Sequence, residues 1–444
     1  MLIEPAELIE NTRIGLGHLK NIQKSAIFLN QRRLNGHKFT SKLKKSEDIN
    51  EHDRGLRVWI QRENKTYFYF FPIQSPQQQI SQLKNLDQNS AWRVLNIKWP
   101  FEEISSESLK YETSFKDSQI SVVDSEEILQ RFENLRLRMD KNTSKALKNK
   151  VIDSYQLRFR HVENEEYLWT NGSKRSISHT SSRYLIDAHM SLMDSTLCKG
   201  HEEAKFFNLD WSKASRWTED WFSTFNTSGS SEDPAKFSHT FFSDYATKQL
   251  SYAVQSWIVK TKNPLPFGDA ILNNNHVPNR FVNIYDNPGE AQVCGRRVWD
   301  ARGTMAKPIK YFDQGEWSLE DKSDIPTRIR GTQKYPEPTL CNLVFAPGRS
   351  DRVDLMAKSK KGLWISSFED FDVDEGGVFQ GKALASVYNM NPRFVSPIGI
   401  VKIVAPLKQV LGNIEDVARH LQWYHSIGSS DWLVSNEGIN ISLV

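Results

Sequence analysis

Apolar and polar positions alternate through much of the first half of the chain. Gly55-Leu56-Arg57-Val58-Trp59-Ile60 and Thr66-Tyr67-Phe68-Tyr69-Phe70-Phe71 are rich in β-branched and aromatic residues and predict a hairpin. Tyr155, Leu157, Phe159 and His161 step two residues at a time, as do Tyr184, Ile186, Ala188 and Met190. Both runs predict half-buried strands, with Asn171-Gly172 marking a turn between them. The polar stretch 42–52 is expected to separate two β-like runs. Helical spacing shows over 9–22 (Ile9, Ile14, Leu16, Leu19, Ile22), weakened by Gly15 and Gly17. It returns behind Asp124 and Glu127, a capping-box pair, at Ile128, Leu129, Phe132 and Leu135.

The pattern lapses at Asn226-Thr227-Ser228-Gly229-Ser230-Ser231-Glu232-Asp233-Pro234, which reads as a linker. It divides the chain into an N-terminal α/β domain, 1–225, and a C-terminal β-rich domain, 235–444. Past the linker, Phe242, Ala246, Leu250, Ala253 and Trp257 mark one long helix face. Strand runs follow at 281–285, 343–345, 363–365 and 398–403, then a last helix over 406–420 and a C-terminal strand over 439–444. The predicted class is α+β: a mixed α/β first domain followed by a mostly antiparallel second.

Composition narrows the function. With 444 residues, 38% hydrophobic and 25% charged, the chain has the apolar content of a globular protein. Lys+Arg 58 against Asp+Glu 54 leaves +4, too dilute for a nucleic-acid-coating surface. No window approaches the ~18 apolar residues of a membrane span. Three cysteines (Cys198, Cys294, Cys341) without CxxC spacing argue for a reducing compartment. The expectation is a cytoplasmic protein without nucleic-acid or membrane partners.

Catalytic motifs are scarce. His201-Glu202-Glu203-Ala204-Lys205 starts like a zincin helix, but Lys205 stands where a second imidazole is needed. His420 and His425 diverge around a helix. Gly15-Leu16-Gly17 lacks both the preceding strand and the third glycine of a phosphate loop. Neither a P-loop nor a GxSxG elbow occurs. Cys198 with His189 or His201 leaves a thiol nucleophile open, with a buried structural cysteine as the alternative.

The order of motifs in the second half resembles the TldD/PmbA family. Phe281-Val282-Asn283-Ile284-Tyr285-Asp286-Asn287-Pro288 is similar to its strand ending in an acid and proline. Trp299-Asp300-Ala301-Arg302-Gly303 stands where the family has an aromatic-Asp-acidic-Gly turn. Asn342-Leu343-Val344-Phe345-Ala346-Pro347-Gly348, Gly362-Leu363-Trp364-Ile365, Gly377-Val378-Phe379-Gln380-Gly381 and Phe394-Val395-Ser396-Pro397-Ile398 follow in family order. In the first half only Asp53-Arg54-Gly55-Leu56-Arg57-Val58 and the alternating strands join the resemblance.

The resemblance implies one subunit of a TldD/TldE-type heterodimeric zinc peptidase acting on unfolded peptides. TldD-like members carry His-Glu-x-x-x-His on the helix before these strands, and a later Cys. The corresponding helix here, about 242–259, has no His, and no Cys follows Cys341. The chain is therefore similar to the metal-free TldE-like member. The implied reading is a non-catalytic subunit with no cofactor of its own and zinc in a TldD-like partner. Its 13 tryptophans and diverged turn suggest a dedicated substrate, such as a ribosomally made precursor peptide whose leader is removed. Candidate substrate- or partner-binding residues are Arg57, Asp300, Arg302 and Gly303. An ordinary turn for the last three, and a surface or strand-pair charge for Arg57, stay open beside that role. Two other readings remain: a self-sufficient peptide hydrolase or modifying enzyme with an unrecognised site, and a peptide-binding or assembly protein without proteolysis.

Overall fold

The computed structural model describes residues 4–17, 19, 21–72, 92–95, 99–101, 113–115, 125–148, 153–171, 173, 176–191, 196–213, 232–260, 277, 279–290, 295–318, 327–328, 336–374, 376–389, 395–424 and 426–444. The predicted hairpin forms between β2 (Lys45–Arg62) and β3 (Lys65–Pro72). Arg62 faces Lys65 across a two-residue turn, and Glu63 and Asn64 both take positive φ (49° and 61°). That is the twist a tight hairpin needs. The polar stretch over 42–52 proves to be mostly strand. β1 (Lys24–Thr40) pairs with β2 along its whole length, Thr40 facing Lys45. The ladder satisfies the backbone there, so almost wholly exposed side chains suffice.

The sheet continues through β4 (Arg93–Leu95), β5 (Thr113–Phe115), β6 (Ser154–Thr170), β7 (Ile177–Ser191) and β8 (Thr196–Glu203). Its order is β4-β3-β2-β1-β6-β7, with β5 and β8 both pairing with β7. One face carries helices α1 (Pro5–Gly17) and α2 (Ser125–Lys148). Leu8, Ile9 and Leu16 pack on Ile27, Leu29 and Val58, and Phe132, Leu135 and Met139 on Phe39, Tyr155 and Leu157. The other face receives Trp299 and Ala301 from the second half, against Ala26, Phe28, Trp59 and Leu168. α1 stops at Gly17, short of the predicted Ile22. Asp124 and Gly172, expected as cap and turn, lie outside the described residues.

The second half builds two further mixed sheets around one helix, α3 (Asp244–Lys260). The seven-stranded sheet runs, in spatial order, Ile414–Val417, Trp432–Ser435, His239–Phe242, Lys361–Val373, Val378–Asn389, Val395–Pro406 and Asn440–Leu443. The six-stranded one runs Glu316–Trp317, Ile309–Asp313, Ile284–Asp286, Leu343–Phe345, Ile427–Ser429 and Gln422–Tyr424. All but two of these pairings are antiparallel. Ala246, Leu250, Ala253 and Val254 of α3 share one core with Leu343 and Phe345 of the smaller sheet and Leu363, Ile365 and Val401 of the larger. α4 (Arg352–Ser359) packs Leu355 and Met356 against Phe241 and Leu433.

Two expectations are corrected here. Phe242 belongs to a strand, and only Ala246, Leu250 and Ala253 of the predicted face are seen inside α3, the Trp257 side chain lying outside the described set. The helix expected over 406–420 is the short α5 (Leu407–Gly412) followed by a strand. Asn413 donates its side-chain amide to Ser435 O and Glu437 O, and Ile414–Val417 pairs with Trp432–Ser435. A neighbouring ladder outweighs the local helical period. No described helix is long and apolar enough to cross a membrane.

Candidate functional site

The start of α3 is set by side chains before it is set by propensity. Ser243 Oγ accepts the Ala246 N–H (3.2 Å) and donates to Ser366 O (2.8 Å), pinning the first turn to the strand Lys361–Val373. The Asp244 N–H donates to Asp431 Oδ1 (2.7 Å). Arg352 of α4 grips the same carboxylate with Nε and Nη2 (2.6 and 2.8 Å), and Tyr424 Oη donates to Asp244 Oδ2 (3.0 Å). Burial pushes the Asp431 carboxyl up, and Arg352 opposes that shift. Burial also raises the Tyr424 phenol well above its ordinary range. Two acids at a helix N-terminus suit its positive end, and here both are already hydrogen-bonded.

Beside this knot Lys199 of β8 meets Tyr245 of α3, and this junction is the candidate cleft. The Tyr245 ring carries Lys248 Nζ at 4.7 Å and Lys199 Nζ at 5.5 Å, and meets the Tyr424 ring edge-on at 5.3 Å. Lys199 is buried and comes from the other half of the chain, while Tyr252, two turns along α3, is 53% exposed. Tyr245 is 8% and Lys199 5% exposed, so the half-buried Lys248 and the open Tyr252 are the groups here that a carbonyl-rich or anionic chain can reach. The cleft contains no nucleophile beside a base.

Zinc, which the family resemblance implies, finds no fitting donors on this helix. α3 carries neither His nor Cys, and its Asp244 is engaged by Tyr424. Among the described residues no three His, Cys, Asp or Glu side chains are grouped to share a metal. His239 sits on a strand with Nε2 3.1 Å from Glu415 and Nδ1 2.8 Å from Ser238 Oγ. His201-Glu202-Glu203 is strand β8, so the zincin geometry, which needs a helix, is excluded there. His201 instead contacts Glu203 (3.2 Å) and Lys213 (3.3 Å), and burial lifts Glu203 to about 7. His189 faces Cys198 across β7 and β8, but its Nε2 is directed at Asp187 (2.9 Å), and the Cys198 side chain lies outside the described residues.

The four residues singled out from the sequence lie elsewhere, on a buried seam between the halves. Arg57 is 2% exposed, which corrects the expected surface charge. Its guanidinium lies 5.1 Å from the Phe70 ring centre and 5.9 Å from that of Phe28. Burial drops it to about 10, with Asp53 and Glu166 pulling the other way. Asp300 accepts from six donors, namely N and Nε of Arg302, N and Oγ1 of Thr304, and N and Oγ1 of Thr327, at 2.8 to 3.2 Å. Gly303, at φ 93°, closes the turn by donating to Asp300 O (3.0 Å). Between Arg57 and Asp300 stands the buried pair Arg297 Nη2–Glu166 Oε2 (2.5 Å), beside His179, which burial drives down to about 3. Nearby, Asp286 accepts from the Cys341 and Asn342 N–H groups (2.9 and 2.5 Å), and burial raises it to about 6.

The sequence reading missed Lys199, Tyr245, Tyr424, Arg352 and Asp431 in the cleft, and Glu166 and Arg297 in the seam. None stands in a local motif; they meet only through sheet order and helix docking.

Residues 267–441 match the family described as PmbA/TldA metallopeptidase C-terminal domain. A search of curated proteins finds no match. Among solved structures, the chain is similar to a protein titled a candidate modulator of DNA gyrase from Bacteroides thetaiotaomicron (TM-score 0.73, 12% identity, 99% of this chain and 98% of that chain). A protein with the same description from Thermotoga maritima aligns at TM-score 0.70 and 12% identity over 98% and 99% of the two chains. TldE from Thermococcus kodakarensis aligns at TM-score 0.72 and 11% identity, over 98% of this chain and 100% of its own. At such identities the likeness is one of fold, and it extends over nearly the whole length.

Proposed function

We propose, from the premise that this chain belongs to the PmbA/TldD family, that it is the zinc-free, TldE-like subunit of a two-subunit peptidase acting on unfolded or precursor peptides. The observation that carries this reading is α3. By the resemblance it corresponds to the helix that bears the metal ligands in TldD-like members, and from Asp244 to Lys260 it offers neither imidazole nor thiolate. In the proposed complex the partner's zinc supplies the Lewis acid for hydrolysis. This chain contributes a wall: Lys248 and Tyr252 meet backbone carbonyls or carboxylates of an extended peptide, with Lys199 and Tyr245 buried behind them. The Asp244–Arg352–Asp431 knot holds that wall rigid. An unfolded chain is favoured because only an extended backbone can lie along such a surface.

Metal content and mass test the reading, measured on the chain alone and after co-expression with a TldD-like protein. The expected outcome is no zinc in the lone chain, about one per heterodimer, and peptide hydrolysis by the pair only. Stoichiometric zinc or hydrolysis in the lone chain would overturn it. Cys198→Ala should leave the pair's activity unchanged, whereas a thiol enzyme would lose it.

A further inference from the structure

The face of the first sheet that receives Trp299 has a second end, away from the seam. By register, Asn30, Arg32, Leu34, Gly36 and Lys38 of β1 point to one side together with Arg158, Arg160, Val162 and Glu166 of β6. Glu166 lies under the seam, and Leu34, Val162 and Leu185 form a small apolar divide. Beyond them a groove of about 520 Å³ is floored by Arg32, Lys38, Arg158 and Arg160.

Several of the guanidinium donors here lack an acceptor of their own. Arg158 Nε (2.5 Å), Arg160 Nη2 (2.6 Å) and His189 Nε2 (2.9 Å) all converge on Asp187, which is only 6% exposed. One carboxylate serves two guanidinium groups, and Arg160 Nε stays buried without an acceptor. Among the described residues Arg32 and Lys38 have no ion pair, and Arg32 Nε is also buried without an acceptor. The acids on the rim are mostly engaged elsewhere: Glu47 lies 2.9 Å from Lys45, and Asp48 lies 2.8 Å from His37. Glu51 faces the groove and Asp53 stands opposite Arg32 across the ladder, neither in an ion pair among the described residues. The unfilled guanidinium donors therefore favour an incoming carboxylate. Forked guanidinium donors on a rigid sheet are the arrangement that binds carboxylates best.

We propose that this groove binds an acidic, extended segment of the peptide substrate, away from the α3 cleft. The assignment rests on the peptide-processing reading and adds a substrate class to it: peptides bearing a run of Asp or Glu. The groove fixes the acidic segment while the rest of the chain reaches the cleft, so affinity falls with salt as exposed charge pairs are screened.

The test is fluorescence anisotropy on the full chain, using labelled nonapeptides that are Glu-rich, Lys-rich or neutral, at 25 and 250 mM salt. The expected result is binding of the Glu-rich peptide only, weakened at the higher salt. The double variant Arg32→Glu, Lys38→Glu should weaken it at least tenfold. Those two residues leave the Asp187 clasp intact, and circular dichroism with the thermal midpoint checks that the variant keeps its fold. Arg160→Gln, which keeps the size and a donor, should weaken it less. Equal binding of all three peptides, or an unchanged double variant, would overturn the proposal. So would a double variant that still binds peptide but no longer pairs with a TldD-like subunit, since the groove would then be a subunit interface. Loss of zinc-dependent hydrolysis in the pair, with peptide binding intact, would count against the subunit reading alone.

Discussion

The seam and the cleft both join the two halves of the chain, and they do so in opposite ways. In the seam, Arg57, Glu166, Arg297 and Asp300 are buried, and the carboxylates of Glu166 and Asp300 are spent on neighbouring donors. In the cleft, Lys199 and Lys248 rest on the face of Tyr245 and Tyr252 stands open to solvent. A buried charge network resists change, because removing one member strands another in a medium that solvates it poorly. A cation on an aromatic face gives up little stability when lost and leaves a surface able to rebind. The charged residues singled out in the sequence thus lie in a buried network, while lysines and tyrosines without any motif meet at the cleft.

Breaking the seam should give the largest effect. Glu166→Ala leaves Arg297, itself 3% exposed, without its carboxylate, and should cost about 3–5 kcal/mol of stability by urea unfolding. A loss below about 1 kcal/mol would mean that water or another acid replaces Glu166, and the contrast with the cleft would collapse.

The next effect is a pH dependence. Asp286 is raised to about 6 by burial, so its proton is held more tightly in the folded than in the unfolded chain. Stability from this group is complete below the ordinary carboxylate value near 4 and is lost as pH rises through 6. Relative to Asp286→Asn, the natural chain should therefore lose about 3 kcal/mol between pH 4 and pH 7. Parallel stability curves would show that Asp286 has an ordinary affinity for protons.

The smallest stability change belongs to the cleft. Lys248→Ala should cost about 1 kcal/mol, the worth of a half-buried cation–π contact, yet lower peptide hydrolysis by the proposed pair about tenfold through a higher KM. An unchanged KM would remove Lys248 from the binding surface.

The strands were the legible part. Alternation at Tyr155 to His161 and at Tyr184 to Met190 matches β6 and β7, and the hairpin around Glu63-Asn64 forms as its turn residues demand. Gly303 adopts the positive φ that an Asp-x-x-Gly turn requires. The helix face of α3 was readable as well, because a 3.6-residue period of small and apolar residues has one packing solution against two sheets. Less legible were segments where a neighbouring ladder decided the outcome. Residues 45–53 are polar yet extended, and 414–417 carry a helical period yet pair as a strand.

The candidate site divides along the same line. That α3 lacks imidazole and thiol is a property of the residues themselves, and no arrangement of the chain can supply a ligand the helix does not encode. Which lysines meet Tyr245, which acid answers Arg297, and that Arg57 is interior rather than exposed follow from contacts between residues far apart in the chain. Sequence periodicity reports which face of an element is apolar; it carries no record of which distant face will cover it. The cleft, the seam and the basic groove exist only once strand order and helix docking have brought those faces together.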